Sequence, residues 1–276
     1  MSSLISVKNS HIMALVDSKT RRSTIAERLR IQGEASIVEL AATFGTSEMT
    51  IRRDLDLLEA EGLARRARGG AISVQSRSFE PPILLRAAQS SEAKRAIGAA
   101  AAAMLRENET VFLDVGTTTH EMAKAIPADL PITAITSSLL IAMELSTKPA
   151  VKTIVTGGVI RQGEMSLIGP RAQTSFADLN FDALFMGVAG ISHAKGLTEY
   201  NLDDADVKRA AMANGRRVIV LADESKIGRV ALVTFAPIHS VDVLVTDAAS
   251  THTGVRHICE QDVDVLHVAS PEKEPM

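Results

Sequence analysis

Residues 47–62 read SEMTIRRDLDLLEAEG, and this stretch decides the fold of the amino-terminal part of the chain. Ser47 is a residue type that caps helix starts, and Gly62 is the type that follows helix ends. Between them, the apolar residues that share one helical face are Ile51, Leu55 and Leu58. The spacing predicts a helix with an apolar stripe turned towards a small core.

The opposite face of this helix is polar. At about 100° per residue, Arg53 lies almost directly opposite the apolar stripe, and Arg52 and Thr50 flank it. Arginine reads guanine through two hydrogen bonds when a helix enters the DNA major groove. The alternative is a solvated charged face, in which these arginines pair with Asp54 and Asp56. The pattern favours DNA binding over that alternative.

Residues 63–72 follow as LARRARGGAI, two short β-like runs with arginines between them. A helix, a tight turn, a second helix and a basic ribbon are the parts of a winged helix-turn-helix. We expect Arg65, Arg66 and Arg68 to contact phosphates or the minor groove, where charge matters more than base pattern.

Two further helices precede these elements. The first runs roughly over residues 19–30 and carries an apolar stripe. The second begins at Ser36, which with Glu39 fits a capping box, and ends at Gly45. We count Ser36 and Ser47, at two helix starts, among the predicted DNA contacts.

Charge separates this head from a larger body. Residues 1–70 hold eleven Lys or Arg and nine Asp or Glu, whereas residues 71–276 hold nineteen and twenty-four. Glu80-Pro81-Pro82 prevents a helix from running through the junction. We predict a winged helix-turn-helix domain over 17–72, a linker over 73–89 and a second domain over 90–270.

Composition limits the function classes. Apolar residues make up 46% and charged residues 23% of the chain, as in globular proteins. The one cysteine, Cys259, excludes an internal disulfide, and we expect a core thiol. The longest apolar run, residues 96–105, is far shorter than the roughly 20 residues of a membrane span. Residues 1–16 lack the features of a signal peptide and are expected to be a loose arm, so we expect a cytoplasmic protein.

The body alternates strand-like and helix-like runs. The strand-like runs are Val111–Val115, Ile132–Thr136, Val151–Thr156, Ala183–Val188, Val218–Ala222, Val241–Thr246 and Val263–Val268. The helical runs are Ser91–Arg106, Glu121–Ile126, Leu139–Ser146, Arg171–Leu179 and Asp203–Ala213. Apolar strands separated by helices are typical of an open, mostly parallel α/β sheet. The predicted fold class is therefore α/β, a Rossmann-like domain joined to a winged helix-turn-helix.

Polar residues collect where these strands end, and ligands of open α/β sheets bind beyond the carboxyl ends of the strands. Glycines, hydroxyls, a helix N-terminus and the charge of Lys226 suit a phosphate, while the carboxylate of Asp114 suits the hydroxyl groups of a sugar or polyol. The predicted effector-binding residues are Asp114, Gly116, Thr117, Thr118, Thr119, Ser137, Ser138, Gly157, Gly158, Gly187, Asp206, Lys208 and Lys226.

Two of these residues compete for one position. Asp206 and Lys208 lie about 200° apart on their helix, so both side chains cannot face a ligand. We expect Asp206 to point inward, with Lys208 as its partner at the rim.

Other ligand classes fit less well. A dinucleotide sensor needs GxGxxG after the first strand, but that loop begins with Gly116 and three threonines. The histidines are scattered over unlike elements, so we expect no metal and no cofactor. A sugar-phosphate enzyme remains the serious competitor, because its pocket would hold the same chemistry.

The sequence resembles the DeoR-type bacterial regulators over roughly residues 19–250. The head motifs are Ser47-x-x-Thr50-Ile51-Arg52-Arg53-Asp54-Leu55, Leu58-Glu59-x-x-Gly62 and Arg68-Gly69-Gly70-Ala71. The body motifs are Asp114-x-Gly116-Thr117-Thr118, Gly157-Gly158, Asp182-x-x-Phe185-x-Gly187, Gly196-Leu197-Thr198, Asp206-Val207-Lys208 and Leu221-Ala222-Asp223-x-Ser225-Lys226-x-Gly228. Two departures are Thr46, where the family usually has valine, and Asp206, where it usually has glutamate.

The resemblance implies a repressor of a carbohydrate or polyol operon that is released by a phosphorylated sugar. It implies operator DNA as partner and a homodimer or homotetramer. The family's sensor domain is similar to ribose-5-phosphate isomerase, whose catalytic loop is acidic, whereas residues 187–190 here read GVAG. We therefore expect a sensor without turnover, and the alternative is an isomerase-like enzyme with an accessory DNA-binding head.

Overall fold

A computed structural model of the chain describes residues 18–73, 77 and 80–269. The arm predicted for residues 1–16 and most of residues 74–79 lie outside this range. The chain separates into two compact units, one up to Pro81 and one from Pro82 onward. No helix in the described ranges is both long enough and apolar enough to cross a membrane.

The amino-terminal unit is a three-helix domain with a small antiparallel sheet. Its elements are α1 (Ser18–Gln32), β1 (Glu34–Ser36), α2 (Ile37–Phe44), α3 (Glu48–Ala60), β2 (Ala64–Ala67) and β3 (Gly70–Ser73). The strand order is β1-β3-β2. The predicted apolar stripes meet in one core, which includes Ile25, Leu29, Leu40, Ile51, Leu55 and Leu58.

Helix ends in this unit follow the predicted residues with one exception. Ser47 accepts a hydrogen bond from the backbone N–H of Thr50 (3.2 Å), and Gly45 ends α2 in the left-handed conformation at φ 59°. The capping box predicted at Ser36 is wrong, because the Ser36 side chain makes no cap bond. Ser36 instead pairs with Gly70 of β3, and Glu39 turns towards Arg28.

The second unit is an α/β domain. Its helices are α4 (Ile83–Ala88), α5 (Ser91–Ala102), α6 (Thr117–Ala125), α7 (Leu139–Leu145), α8 (Pro170–Thr174), α9 (Leu202–Met212) and α10 (Thr253–Cys259). Its strands are β4 (Thr110–Leu113), β5 (Ile132–Thr136), β6 (Val151–Val155), β7 (Val159–Arg161), β8 (Ser166–Ile168), β9 (Ala183–Gly187), β10 (Gly190–Ser192), β11 (Gly196–Glu199), β12 (Val218–Leu221), β13 (Val233–Ala236), β14 (Val243–Thr246) and β15 (Asp264–His267).

One parallel sheet of seven strands organises the second unit. Its order is β15-β14-β12-β9-β4-β5-β6, and these are the seven strands that the apolar runs predict. Neighbouring residues along β4 face different sides of the sheet: Val111 and Leu113 belong to one apolar cluster, and Phe112 to the other. Because both faces of the central strands are covered, β4, β9 and β12 consist almost entirely of buried apolar residues. The α/β fold class is confirmed.

Two smaller sheets lie outside the predicted pattern. Strands β10, β11 and β13 form an antiparallel sheet, and β7 pairs with β8 as a hairpin. The helix predicted from Glu121 begins earlier, at Thr117, because Gly116 (φ 147°) turns the chain directly out of the strand and into the helix. Cys259 is exposed at the end of α10, so the expected core thiol is wrong.

Close contact between α5 and α6 yields a test of the packing. A Cβ atom built on buried Gly98 would lie 2.6 Å from the backbone N of Met122 and 2.7 Å from the backbone C of Glu121. Alanine is the better helix former by roughly 0.5–1 kcal/mol, so propensity alone predicts that Gly98→Ala stabilises. We expect the opposite sign, a loss of about 1–3 kcal/mol from overpacking. Urea unfolding of the full chain decides it, with exposed Ala99→Ser as control.

Candidate functional site

The exposed face of α3 presents the predicted DNA-reading residues. Arg53 is exposed, and no described residue forms an ion pair or a hydrogen bond with its side chain. Arg52 is also exposed and reaches Glu48 one turn earlier (Nη2–Oε2 3.5 Å). The hydroxyl of Thr50 is hydrogen-bonded to that of Ser47 at 3.0 Å. The face therefore offers arginine donors beside small hydroxyls.

Asp54 lies on the other side of the same helix. Its side chain is buried and accepts hydrogen bonds from Arg21 of α1, with Nε–Oδ2 at 2.6 Å and Nη2–Oδ1 at 3.3 Å. Arg22 lies 3.9 Å from the same carboxylate. Asp54 thus joins α1 to α3 and does not pair with Arg52 or Arg53. Helical spacing within α3 gives no signal for a partner 33 residues away.

The basic ribbon is the hairpin β2–β3. Arg65 and Arg66 lie within β2, and Arg68 lies in the turn that follows. Arg65 and Arg68 are exposed, whereas Arg66 is half-buried against α3. Ser36 is half-buried at the start of α2. The ribbon's exposed arginines therefore occupy one strand and its turn.

In the second unit, a buried lysine joins the carboxyl ends of the central strands. The Lys208 ammonium of α9 forms ion pairs with Asp114 after β4 and with Glu199 of β11 (Nζ–Oε2 3.2 Å), and it donates to Gly187 O of β9 at 2.9 Å. Asp114 also accepts from Gly187 N at 2.9 Å. The side chains of Lys208 and Asp114 are each 1% exposed.

This arrangement corrects the predicted order of Asp206 and Lys208. Lys208 points inward, and Asp206 points outward to Arg209 (2.5 Å) with 48% of its side chain exposed. The two are on opposite sides of α9 as expected, but the buried carboxylates attract the lysine. The inward carboxylate of α9 is Asp204, four residues before Lys208, where i, i+4 spacing is the signal that finds it.

Asp204 extends the polar cluster. It accepts from Arg161 of β7 (Nη1–Oδ2 2.6 Å) and from Ser166 of β8 (3.0 Å). The hairpin β7–β8 is thereby joined to α9. Three carboxylates and two cations, all from different elements except Asp204 and Lys208, share this end of the sheet.

Burial and charge act together on these groups. Burial raises the pKa of Asp114 to about 6, although Lys208 opposes this. Burial by itself would lower the pKa of Lys208, but Asp114 and Glu199 outweigh it and raise that pKa above its ordinary value. Burial also raises the pKa of Asp204, against the pull of Arg161. Lys208 is therefore held as a cation among carboxyl groups that are costly to ionise.

Several predicted effector residues leave polar atoms without a partner. Asp114 Oδ1, Ser137 Oγ and Thr156 Oγ1 are buried and accept or donate no hydrogen bond within the described chain. These atoms follow β4, β5 and β6, three adjacent strands. Buried polar atoms are costly when left unpaired, so water or a molecule with hydroxyl groups can satisfy them here. Thr156 was missed because it was counted within its strand.

Other predicted residues are engaged in the chain's own structure. Thr119 is fully buried and donates to Gly116 O at 3.0 Å, and Ser138 caps α7 by accepting from Ile141 N. Thr118 is also buried, and Thr117 is half-buried at the first position of α6. The turn thus presents Thr117 and the N-terminus of α6.

Two of the predicted glycines are needed for the packing of the chain itself, and a third leaves open space. A Cβ on Gly158 would lie 2.6 Å from Ile168 O, and one on Gly187 would lie 2.8 Å from Val115 O. Both glycines therefore allow contact between segments of the chain. Gly157 meets nothing closer than 3.7 Å and is exposed, so it leaves room for a ligand.

Lys226 follows β12 at the same edge of the sheet. It is half-buried, and no described residue forms an ion pair with it. Its neighbour Asp223 is occupied by the backbone N–H of Ser225 (3.0 Å) and by the Ser225 hydroxyl. Burial lowers the pKa of Lys226, and Asp223 opposes this. An anion would stabilise this ammonium.

The single tyrosine of the chain borders the cluster. Tyr200 is 5% exposed, and its backbone N–H donates to Glu199 Oε1 at 2.7 Å. The Arg229 guanidinium lies 5.3 Å from the centre of its ring. Tyr200 is therefore one residue removed from the ion pair between Glu199 and Lys208.

Two cavities of about 380 and 680 Å³ lie elsewhere and share Phe235, Ala236 and Pro237. The first includes Val218 and Asp242, at the amino end of β12 and just before β14, and neither includes a predicted effector residue. Among the residues that the structure describes, no group of three His, Cys, Asp or Glu side chains could hold a metal ion. The candidate site is defined here by its polar groups.

Comparisons with known proteins cover both units. Residues 21–77 match the family described as the DeoR-like helix-turn-helix domain, and residues 89–248 match the DeoR C terminal sensor domain. The HTH-type transcriptional regulator GlpR of Haloferax volcanii is 37% identical over 82% of this chain and 89% of its own length. The glycerol-3-phosphate regulon repressor of Escherichia coli K12 is 33% identical over 83% of this chain and 90% of its own.

Among solved structures, ribose 5-phosphate isomerase A from Methanocaldococcus jannaschii is similar at a TM-score of 0.38. The identity is 14%, over 50% of this chain and 55% of that one.

The buried lysine gives a prediction with a defined sign. Lys208→Met leaves buried carboxylates unpaired, which costs about 3–5 kcal/mol of unfolding free energy. Without Lys208 the folded-state pKa of Asp114 rises further above its ordinary 3.8, so the folded variant binds a proton more tightly than the unfolded chain. Its stability therefore falls as pH rises, and we expect the deficit against wild type to be larger at pH 8 than at pH 5.

Urea unfolding of the full chain at both pH values measures this deficit. The control is Lys124→Met, which removes an exposed lysine paired with Glu121 and should cost under about 1 kcal/mol at either pH. A deficit for Lys208→Met that is equal at pH 5 and pH 8 would contradict the assigned ion pairs.

Proposed function

This chain belongs to the DeoR family of transcriptional regulators, and on that premise we propose that it is a repressor of a carbohydrate or polyol operon. The proposal assigns operator binding to residues 17–72 and effector binding to residues 90–270, with 73–89 as linker. It places the protein in the cytoplasm, since its target is chromosomal DNA. The observation that carries it is the pairing, in one chain, of an outward Arg53 on a winged helix with a polar cluster at the sheet edge.

Operator reading is assigned to α3. Arg52 and Arg53 are exposed and Thr50 is half-buried, while the other side of the helix is fixed by the core and by Asp54. A rigid helix with arginine donors on its outer face suits base edges in the major groove. Arg65 and Arg68 supply charge for phosphates, and Ser36 and Ser47 lie at helix starts where a phosphate can approach.

A single head of this size contacts one half-site. Two-fold symmetry of the operator then requires a second copy, so we propose a homodimer or homotetramer.

Effector binding is assigned to the carboxyl edge of the seven-stranded sheet. The ammonium of Lys226 and the turn from Gly116 to Thr119 suit a phosphate. Asp114 Oδ1, Ser137 Oγ and Thr156 Oγ1 suit the hydroxyl groups of the attached polyol, because an ionised carboxylate repels phosphate but accepts from hydroxyls. A relative named a glycerol-3-phosphate regulon repressor supports an effector of this class.

Effector and operator binding are proposed to oppose each other. Linkage requires that each weakens the other by the same factor, typically 1–3 kcal/mol. Two relatives are a regulon repressor and a putative operon repressor, and a repressor of a catabolic operon has to leave its operator when its effector is present.

The enzyme alternative rests on carboxylates, and the site does contain them. The loop over residues 187–190 has none, but Asp114, Glu199 and Asp204 reach the cluster from the end of β4, from β11 and from α9. All three are paired with cations, which disfavours proton transfer. We therefore propose a sensor without turnover, and an isomerase assay with phosphorylated pentoses tests that choice.

Base reading predicts a loss of discrimination. A duplex is first selected from a random library with the wild-type chain, and its affinity is compared with that of a random duplex. Arg53→Ala should reduce the preference by about 1–3 kcal/mol. Arg68→Ala should weaken both duplexes alike and reduce the salt slope by about 1. An equal loss on both duplexes for Arg53→Ala would remove it from base reading.

Phosphate recognition predicts a difference between paired ligands. Glycerol 3-phosphate and a panel of sugar phosphates are screened by thermal shift, and those that bind are compared with their dephosphorylated forms by calorimetry. We expect the phosphorylated form to bind more tightly by about 1–3 kcal/mol or more. The reason is that a ligand without its phosphate group leaves the ammonium of Lys226 unpaired. Lys226→Met should abolish the difference, whereas the exposed Lys195→Met should not. Equal affinities in the wild type would exclude the phosphate assignment.

A further inference from the structure

The strand β2 turns alternate residues towards and away from the recognition helix. Ala64 is buried and Arg66 is half-buried, whereas Arg65 and Ala67 are exposed. Side chains of a strand alternate between its two faces. In the hairpin β2–β3, which we call the wing, Arg66 is therefore on the side that faces α3, and Arg65 is on the side that faces solvent.

Two acidic residues of α3 hold this one wing residue. Glu59 Oε1 accepts from the backbone N–H of Arg66 at 2.7 Å. Asp56 Oδ1 lies 3.5 Å from Arg66 Nε. Asp56 and Glu59 are three residues apart, so they share a face of the helix.

These contacts lie at the point that orients the wing. Within the described residues, β2 pairs with β3 on one side only, so the Arg66 N–H at its free edge needs another acceptor. Glu59 provides it. Arg68 lies two residues further along, in the turn of the hairpin. The contact between Glu59 and Arg66 therefore fixes the strand next to the turn that carries Arg68.

We propose that Asp56 and Glu59 form a clamp on Arg66 that sets the angle between the recognition helix and the wing. Glu59 is then a positioning residue for DNA readout, and Arg66 acts through its position in the clamp and not through phosphate contact. The inference rests on the proposed operator binding.

The direction in which DNA affinity changes when Glu59 loses its charge separates a positioning role from simple repulsion of phosphates. A carboxylate on the DNA-binding unit repels phosphates, so removing it should tighten binding to all DNA. A positioning role predicts the reverse for the selected duplex alone. Glutamine keeps the Oε1 acceptor without the charge, so it should preserve the clamp.

The test compares full-length variants by fluorescence anisotropy on the selected duplex and a random duplex, over a series of salt concentrations. We expect Glu59→Ala to weaken binding to the selected duplex about tenfold, with random-duplex affinity unchanged or higher. Glu59→Gln should restore the preference. Glu34→Ala, which removes an exposed carboxylate of the same unit, should leave the preference intact.

A second variant keeps the proposal falsifiable if Glu59→Ala does not fold. Arg66→Ala removes the side-chain contact with Asp56 but keeps the backbone N–H that donates to Glu59. It should therefore lose only part of the preference for the selected duplex, while its salt slope stays at the wild-type value, in contrast to Arg68→Ala. A slope reduced as much as in Arg68→Ala would make Arg66 a phosphate contact and overturn the clamp. So would equal behaviour of Glu59→Ala and Glu59→Gln. If the wild type shows no preference for its selected duplex, the proposed function fails as well.

Discussion

The ammonium of Lys208 is the group on which the larger unit depends. It joins α9 to the end of β4, 94 residues earlier in the chain, and to the end of β9 and to β11. Each carboxylate there would be costly to bury alone, and the lysine would be costly without them. The site's polar groups are therefore also structural groups, and a ligand that binds beside Asp114 meets a side chain whose position is already determined.

Apolar runs are enough to predict the seven strands of the parallel sheet, because its central strands are buried on both faces. The antiparallel strands β10, β11 and β13 are only three or four residues long and mix polar with apolar residues, so they give no such signal. The sequence predicts the wrong inward-facing side chain on α9 for a different reason. Helical geometry correctly separates Asp206 from Lys208, but the partner that decides which one faces inward, Asp114, lies 94 residues away.

The amino-terminal unit shows the same division. The stripe of α3 and the glycines after α2 and α3 follow from local rules and are visible in the sequence. The roles of Asp54 and Arg66 are not, because each depends on a side chain or backbone group from another element. Local rules thus locate the surface that would face DNA. Contacts between elements determine which charged residues of that surface stay exposed and can contact DNA.

Tyr200 has a consequence for how the molecule responds to light. The chain contains no tryptophan and no second tyrosine, so one ring dominates its near-ultraviolet absorption and emission. That ring is buried beside Arg229 and directly follows Glu199, the carboxylate paired with Lys208. The protein therefore carries an intrinsic chromophore at the border of its polar cluster, and its optical signal is local where that of most proteins is an average over many rings.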